Sequence, residues 1–362
     1  MTINLRLFIA RQENMDLFAK IIGIKYKLFL CRKLEIFEFR SFEKALSKKA
    51  TFILKVDPNN KIAVSCWVSP KRTRSYPYAR VYDSLGFTGK KVTIIPVIKD
   101  EGGRGDRDFL QWDTVSLMSL LGVYVIVTYY KDAEKSKRYR HKITNQRFDT
   151  DYLKREIKKL LSYQSDALHW NLAQIKKVGK MTQKALNSYN RISKRLKVKI
   201  HSRDSAEKRI KQLLKGKDEF MILSRKLAEK AQRRESLTTQ PKEQLSGMKA
   251  TITIKNYLGG YYYFTADEAK ARGKNVFLIE GKHSRTNSLP SLEDIKDGLL
   301  KMILFVNLKK VKLDNKTYNP VSILKLTTEK GFKSSNLNKS QKNALVLLRK
   351  EAKMNNFGLR IN

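Results

Sequence analysis

Strand-forming segments lie at both ends of this chain, and a long helix-forming segment separates them. Residues 132–247 are rich in helix formers, lack proline until Pro241 and carry apolar residues at helical spacing, which predicts amphipathic helices. β-Branched and aromatic residues dominate the strand-forming segments, which are residues 50–56, 61–69, 91–101, 123–130, 249–258, 259–267, 275–284 and 319–328. This order constrains the chain to a mixed α and β fold, because helices interrupt two groups of strands.

We therefore expect three parts. Residues 1–131 form the first α and β part of a core, residues 132–247 form a basic helical insertion, and residues 248–362 form the second part of that core. With 362 residues, 41% of them hydrophobic, the chain is long enough to bury a sizeable core. In the last part, Ser291 is typical of a helix N-cap, and residues 340–354 predict a final helix.

The charge of the chain points to a polyanionic partner. The formal net charge is +42 and the isoelectric point is about 10.1. Such an excess favours nucleic acid, because each phosphate that a Lys or Arg neutralises releases condensed counterions.

Other features of the sequence argue against a membrane protein and a disulfide scaffold. The longest apolar run, residues 115–130, is interrupted by Gly122 and is too short and polar to span a bilayer. The N-terminal residues do not develop a secretory signal, so we expect a cytoplasmic location. Cys31 and Cys66 cannot form a zinc site alone, and we interpret both thiols as reduced and structural.

The segment NVFLIEGKHS, Asn275–Ser284, ends an apolar strand with two charges. Glu280 and Lys282 are two residues apart, so their side chains leave the same face of a strand. A metal-dependent phosphodiesterase needs this pair: the carboxylate holds a divalent cation, and the ammonium orients water or offsets charge on the phosphorane. The alternative is an exposed edge strand whose charges prevent aggregation, but the apolar run favours a central strand.

The order of strand, Glu280-Gly281-Lys282 and a helix after Ser291 resembles the PD-(D/E)xK nuclease superfamily, whose best-known members are type II restriction endonucleases. The resemblance covers residues 100–130 and 250–325, about a third of the chain. It implies a restriction-endonuclease-like mixed central sheet flanked by helices. It also implies an Asp on the strand before Glu280, Mg²⁺ as the cofactor, double-stranded DNA as the substrate and a homodimer, with no small-molecule cofactor.

Asp267 is our first choice for the missing aspartate. It lies thirteen residues before Glu280, and a hairpin between the two strands would bring both carboxylates to one metal. The alternative is a helical turn over the segment ADEAKARGK, in which Asp267 is only a capping residue.

A second group of carboxylates precedes a predicted buried helix in the segment GDRDFLQWDT. Asp106, Asp108 and Asp113 are candidate metal ligands, with Asp108 and Asp113 also candidate catalytic residues. The alternative is a glycine-rich loop whose Asp side chains cap turns and pair with Arg104 and Arg107. At the far end of the strand, His283 could contact a phosphate or the water on the metal.

Basic residues of the predicted insertion are candidates for sequence-independent contacts with the DNA backbone. A segment at residues 70–80 is a candidate arm for reading bases, although its tyrosines are equally compatible with ordinary packing. The candidate DNA-binding residues are Lys176, Lys177, Lys180, Arg191, Lys194, Arg195, Lys197, Lys199, Arg72 and Arg74.

The sequence thus leads to the hypothesis of a Mg²⁺-dependent, site-specific double-stranded DNA endonuclease of restriction type. The alternative is a non-enzymatic basic protein that binds RNA or DNA, in which the Glu280–Lys282 pair has no catalytic role. A nuclease with the same core that acts on RNA or on damaged DNA is a third reading.

Overall fold

The structure is a computed structural model, and it describes residues 15–68, 77–214, 248–256, 261–286, 288–329 and 331–362. The prediction of a mixed α and β fold with mixed sheets is confirmed. The strands are β1 Met15–Ile21, β2 Ile36–Glu38, β3 Thr51–Lys55, β4 Lys61–Cys66, β5 Lys91–Pro96, β6 Ile98–Asp100, β7 Arg107–Phe109, β8 Tyr124–Thr128, β9 Tyr130–Lys135, β10 Ile143–Phe148, β11 Met248–Asn256, β12 Tyr261–Arg272, β13 Asn275–Ser284, β14 Lys309–Leu313, β15 Lys316–Thr328 and β16 Gly358–Ile361. The helices are α1 Phe42–Lys48, α2 Pro77–Leu85, α3 Trp112–Leu120, α4 Thr150–Leu161, α5 Ala167–Ile175, α6 Val178–Leu196, α7 Arg203–Leu214, α8 Leu292–Phe305 and α9 Lys339–Met354.

Two sheets organise the described residues. The larger has the order β13-β12-β11-β1-β14-β15-β16, and a further pairing joins β13 to β15. β11, β12 and β13 are successively antiparallel, whereas β15 runs parallel to β13 after the crossover through α8. The smaller sheet has the order β2-β3-β4-β5-β8. Buried residues of both sheets belong to one continuous hydrophobic core.

The basic helices pack on the edge of the smaller sheet. Asn171 and Gln174 of α5 accept hydrogen bonds from the backbone N–H groups of Val125 and Val127, and Trp170 donates to the Val125 carbonyl. These side chains satisfy backbone groups of the edge strand β8, which would otherwise face solvent. The helical segment therefore covers the sheet directly.

The start of the predicted helical segment is a β-hairpin. β9 and β10 pair antiparallel over residues 130–148, so the prediction of helix from residue 132 is wrong for this stretch, and the first helix there begins at Thr150. Helix-forming residues at the solvent-facing positions of the hairpin hide the strand pattern, because few of its side chains are buried.

In the last part of the chain, Ser291 caps α8 as predicted, since its Oγ accepts a hydrogen bond from the Asp294 N–H at 3.1 Å. The predicted final helix is α9. The helix α8 links the two sheets, because Lys296 forms a buried 2.6 Å ion pair with Asp83 of α2. Within the described ranges, no helix is long and apolar enough to cross a membrane.

Candidate functional site

Glu280 and Lys282 lie on a central strand and face the helix α8. β13 pairs with β12 on one side and with β15 on the other, so the edge-strand alternative is wrong. The Glu280 side chain is 1% exposed, and that of Lys282 is 16% exposed. Their side chains form an ion pair, with 2.9 Å between Lys282 Nζ and Glu280 Oε1.

The structure brings Asp267 to this pair. Asp267 lies within β12, so the alternative of a capping residue in a helical turn is wrong. Glu268 of β12 pairs with Ile279 of β13, and the next step in this register places Asp267 opposite Glu280. The Gly281 N–H donates to Asp267 Oδ2 at 2.8 Å, and the Asp267 and Glu280 carboxyls share a hydrogen bond.

Two residues of α8 that the sequence did not single out complete the cluster. Asp297 and Lys301 are one helical turn apart, so both reach the same strand from one face of the helix. Asp297 Oδ2 lies 2.9 Å from Lys282 Nζ, and Lys301 Nζ lies 2.6 Å from Glu280 Oε2. The spacing of Asp297 and Lys301 on an apolar helix was visible in the sequence, but the rotation of that helix against β13 was not.

A glycine allows the helix to approach this closely. A Cβ at Gly298 of α8 would lie 2.8 Å from Leu324 Cδ1 and 3.2 Å from Lys282 Cε. Any side chain at this position would push α8 away from β13 and β15, or displace the side chain of Leu324 and the stem of Lys282. Gly298 therefore sets the distance at which the helix delivers Asp297 and Lys301.

Burial and neighbouring charges shift the titration of the two carboxyls in opposite directions. Burial, followed by the charge of Asp267, raises the pKa of Glu280 to about 7 against the attraction of Lys301 and Lys282. Burial alone would raise the pKa of Asp267, but Lys301, Lys282 and the Gly281 N–H hold that pKa below its ordinary value. Near neutral pH, Asp267 and Glu280 are therefore a carboxylate and a carboxyl that share one proton.

The two ammonium groups are held in their charged form. Burial opposes the charge on each, but the surrounding carboxylates raise the pKa of Lys282 and of Lys301 above their ordinary values. In both cases the strongest of these attractions comes from Glu280. With all groups ionised, the cluster of Asp267, Glu280, Asp297, Lys282 and Lys301 holds one more carboxylate than ammonium.

The other candidate acids lie elsewhere. Asp106 precedes β7 and Asp108 lies within it, in the β6–β7 hairpin that contacts Tyr189 of α6 and the His201 imidazole through Asp100. In the described part of the chain, no three His, Cys, Asp or Glu side chains are grouped so that they could hold a metal ion, so neither acid joins Asp267 and Glu280. Asp113 lies in the first turn of α3, and its side chain is outside what the structure describes.

His283 is on the opposite face of β13 from Lys282. Its Nδ1 lies 3.0 Å from the Thr327 hydroxyl of β15, its partner in the strand register. Side chains alternate between faces along a strand, so the sheet separates the imidazole from the carboxyl pair. The expected contact of His283 with a metal-bound water or phosphate has no support in this geometry.

Most of the candidate DNA-binding residues are exposed on or beside α6. Lys177 pairs with Glu156 of α4 at 2.6 Å, and Arg195 pairs with Asp132 of β9. Arg72 and Arg74 lie outside the described residues. The exposed candidates in the described part of the chain are Lys176, Lys180, Arg191, Lys194, Arg195, Lys197 and Lys199.

Asp267 and Glu280 fit the ligand chemistry of Mg²⁺. Protein sites commonly hold this ion through one or two carboxylates, with waters and substrate phosphates completing its octahedral shell. Two carboxyl groups in contact, one of them with a raised pKa, are a donor set that a divalent cation would stabilise in the ionised form.

Comparison of this chain with protein-family models, curated proteins and solved structures found no match.

Proposed function

We propose that this protein is a Mg²⁺-dependent endonuclease that hydrolyses phosphodiester bonds of double-stranded DNA. One observation carries the proposal: Asp267, on the strand before β13, lies against the Glu280–Lys282 pair. A structural ion pair needs no second carboxyl against Glu280, and burial together with the charge of Asp267 raises the pKa of Glu280 to about 7. A cation site uses both carboxylates.

The order of the strands around the site supports a restriction-endonuclease-like core. Three antiparallel strands, β11, β12 and β13, are followed by α8 and by β15, which is parallel to β13. In the PD-(D/E)xK nucleases, a mixed sheet flanked by helices likewise carries an Asp on the strand before the E-x-K strand. Residue for residue, the Asp corresponds to Asp267, the Glu to Glu280 and the Lys to Lys282.

In this proposal each side chain has a defined task. Asp267 and Glu280 would hold the cation, and bound Mg²⁺ would supply Lewis-acid stabilisation of charge on the scissile phosphate. Glu280 would be a ligand in its ionised form, with its proton released to solvent. The ammonium of Lys282 is kept charged and is aimed by Asp297, so it can orient the attacking water or offset charge on the phosphorane.

Double-stranded DNA as the substrate is supported by the net charge of +42 and by the exposed Lys and Arg side chains on α6. A homodimer is part of the proposal, because cutting both strands of a palindromic site matches two-fold symmetry. Site-specific cutting and a cytoplasmic location complete it.

A cleavage assay tests the proposal. Supercoiled plasmid and linear duplex DNA are incubated with the protein in Mg²⁺ or in EDTA, and Glu280→Gln, Lys282→Met and Lys342→Met are compared. Lys342 is an exposed lysine on α9, so its variant controls for the loss of one positive charge. We expect discrete fragments only with Mg²⁺. The rate of cleavage should fall at least 100-fold in Glu280→Gln and Lys282→Met, since charge stabilisation in the transition state is worth that much. The rate should not change in Lys342→Met. Cutting that survives in Glu280→Gln would remove the assignment.

A second candidate function is nucleic-acid binding without hydrolysis. It is favoured by the ion pairs of Glu280, because Lys282 and Lys301 already contact both of its oxygens. In that case the cluster only joins α8 to β13. Salt-dependent DNA binding without Mg²⁺-dependent cutting of DNA, RNA or damaged DNA would select this candidate.

A further inference from the structure

The glycine-rich segment 102–108 takes no part in the carboxyl cluster, but it joins two other basic segments to itself in one surface. We propose that this surface is the main contact of the protein with the phosphate backbone of duplex DNA. We call it the glycine-loop surface. Its residues are Arg104 of the loop, Lys137, Arg138, Arg140 and His141 of the β9–β10 turn, and Lys197 and Lys199 after α6, all of them exposed.

Close backbone contacts hold the three segments together. Gly102 has a φ of +109°, and a Cβ there would lie 2.4 Å from the His141 carbonyl oxygen. The Ile143 N–H donates to the Glu101 carbonyl at 3.0 Å. On the other side of the loop, the Gly103 N–H donates to the Lys199 carbonyl at 2.7 Å. The surface is therefore built by the fold and is not a chance cluster of lysines on one helix.

The Asp and Glu side chains near this surface mostly pair with Lys and Arg side chains that lie outside it. Asp132 pairs with Arg147 and Arg195, and Glu134 pairs with Arg147. In the loop itself, Glu101 pairs with Lys99 and Lys142, Asp100 pairs with Arg107, and Asp108 lies opposite Lys99. Asp106 and Asp108 are two exposed acids beside six exposed Lys and Arg side chains, so the surface keeps an excess of positive charge and attracts a polyanion.

The shape and chemistry of the surface favour DNA over an anionic membrane. A membrane-binding surface inserts large apolar side chains, and the large apolar side chains that are exposed in the described ranges lie elsewhere, at Phe18, Ile22, Ile36, Met248, Leu292, Val346, Leu347 and Met354. The hairpin instead carries an open cleft of about 580 Å³, whose lining residues include Glu134, Lys135, Lys137, Arg138 and Tyr139. Arg and Lys side chains around this cleft suit the phosphate and deoxyribose groups of DNA.

This inference rests on the proposed nucleic-acid substrate, but not on hydrolysis at Glu280. Binding and cutting are therefore measured separately. Binding of a 30-base-pair duplex is followed in Ca²⁺ over a range of salt concentrations, and cutting is followed in Mg²⁺.

The test compares two triple variants with equal loss of charge. The first is Arg104→Ala, Arg138→Ala and Arg140→Ala on the surface; the second is Lys342→Ala, Arg349→Ala and Lys353→Ala, which are exposed positions of α9. We expect the surface triple to raise the dissociation constant at least tenfold and to lower the salt slope by roughly 2 to 3, since each phosphate contact contributes about 0.9. We expect the α9 triple to bind almost as the wild type does.

The variant Gly102→Ala tests the geometry without removing any charge. It should weaken duplex binding because the added Cβ separates the hairpin from the loop, while circular dichroism checks that the chain is folded. Equal losses in the two triple variants, or wild-type binding by the surface triple, would overturn the proposal. So would a surface triple that loses binding to phosphatidylserine vesicles but not to DNA. Tight binding through this surface without Mg²⁺-dependent cutting would remove only the proposed hydrolysis.

Discussion

Glu280 is a carboxyl group that the fold buries beside another carboxyl, and this position predicts an unusual dependence of stability on pH. Below about pH 4.5 the group is protonated in both the folded and the unfolded chain. Between 4.5 and about 7, only the folded chain keeps the proton, so this contribution to stability falls as pH rises and is absent above about 7.

We expect the difference in free energy of unfolding between wild type and Glu280→Gln to decrease by about 2 to 3 kcal/mol from pH 5 to pH 8. Urea unfolding at several pH values measures it. Glu293→Gln, at an exposed position of α8, should show no such change. A difference that is constant with pH would mean that the pKa of Glu280 is not raised.

Lys301 neutralises Glu280 from the helix, and its removal should be costly when Glu280 is ionised. In Lys301→Met, we expect the free energy of unfolding at pH 8 to fall by about 3 kcal/mol, because one partner of a buried ion pair is left uncompensated. At pH 5 the loss should be smaller, since the protonated carboxyl needs no counter-charge. Lys309→Met, at an exposed position of β14, is the control. An equal loss at both pH values would contradict the pairing.

Among single residues, the sequence could predict the pair of Glu280 and Lys282, and the spacing of a hairpin gave Asp267. It could not predict Lys301 or Asp297, because their role depends on the rotation of α8 about its axis. It also could not separate Asp106 and Asp108 from the site, because only tertiary structure decides which strand ends meet. Because side chains alternate between the two faces of a strand, the sequence was sufficient to place His283 on the face opposite to Glu280 and Lys282.

At the scale of elements, the contact between α8 and the strands β13 and β15 depends on Gly298. We expect Gly298→Ala to destabilise the protein by about 1 to 3 kcal/mol, as overpacking of a core does, although alanine is the better helix former. Thermal unfolding measures the effect, and Gly23→Ala is the matched control because a Cβ there meets nothing within 4 Å. A Gly298→Ala protein as stable as the wild type would show that the helix can move away without cost.

The elements with a strong apolar pattern were predictable, and the polar ones were not. β5, β8, β13 and α9 follow runs of β-branched residues or a helical repeat, and the structure places them where the sequence does. The β9–β10 hairpin was predicted as helix because its exposed Lys, Arg and Glu residues are also good helix formers. The helix after Ser291 was also predictable, and in the structure it ends at Phe305, before β14 begins at Lys309.

At the scale of the whole molecule, the order of strand-forming and helix-forming segments was sufficient to predict a mixed α and β fold. The polyanionic partner, inferred from the net charge of +42, stays a prediction. The packing of the helix α5 on β8 was not predictable, because the hydrogen bonds that Asn171 and Gln174 accept from a strand edge, and that Trp170 donates to it, leave no periodic signal. The glycine-loop surface likewise joins segments that are distant in sequence.

The central claim is that Asp267 and Glu280 form a cation site, and titration calorimetry with Mg²⁺ tests it most directly. At pH 6.5, in two buffers of different ionisation enthalpy, we expect Mg²⁺ binding to release a fraction of one proton from Glu280. Binding should be lost in both Asp267→Asn and Glu280→Gln and retained in Glu293→Gln. Failure of the wild-type protein to bind Mg²⁺, or equal binding by all four proteins, would contradict the claim.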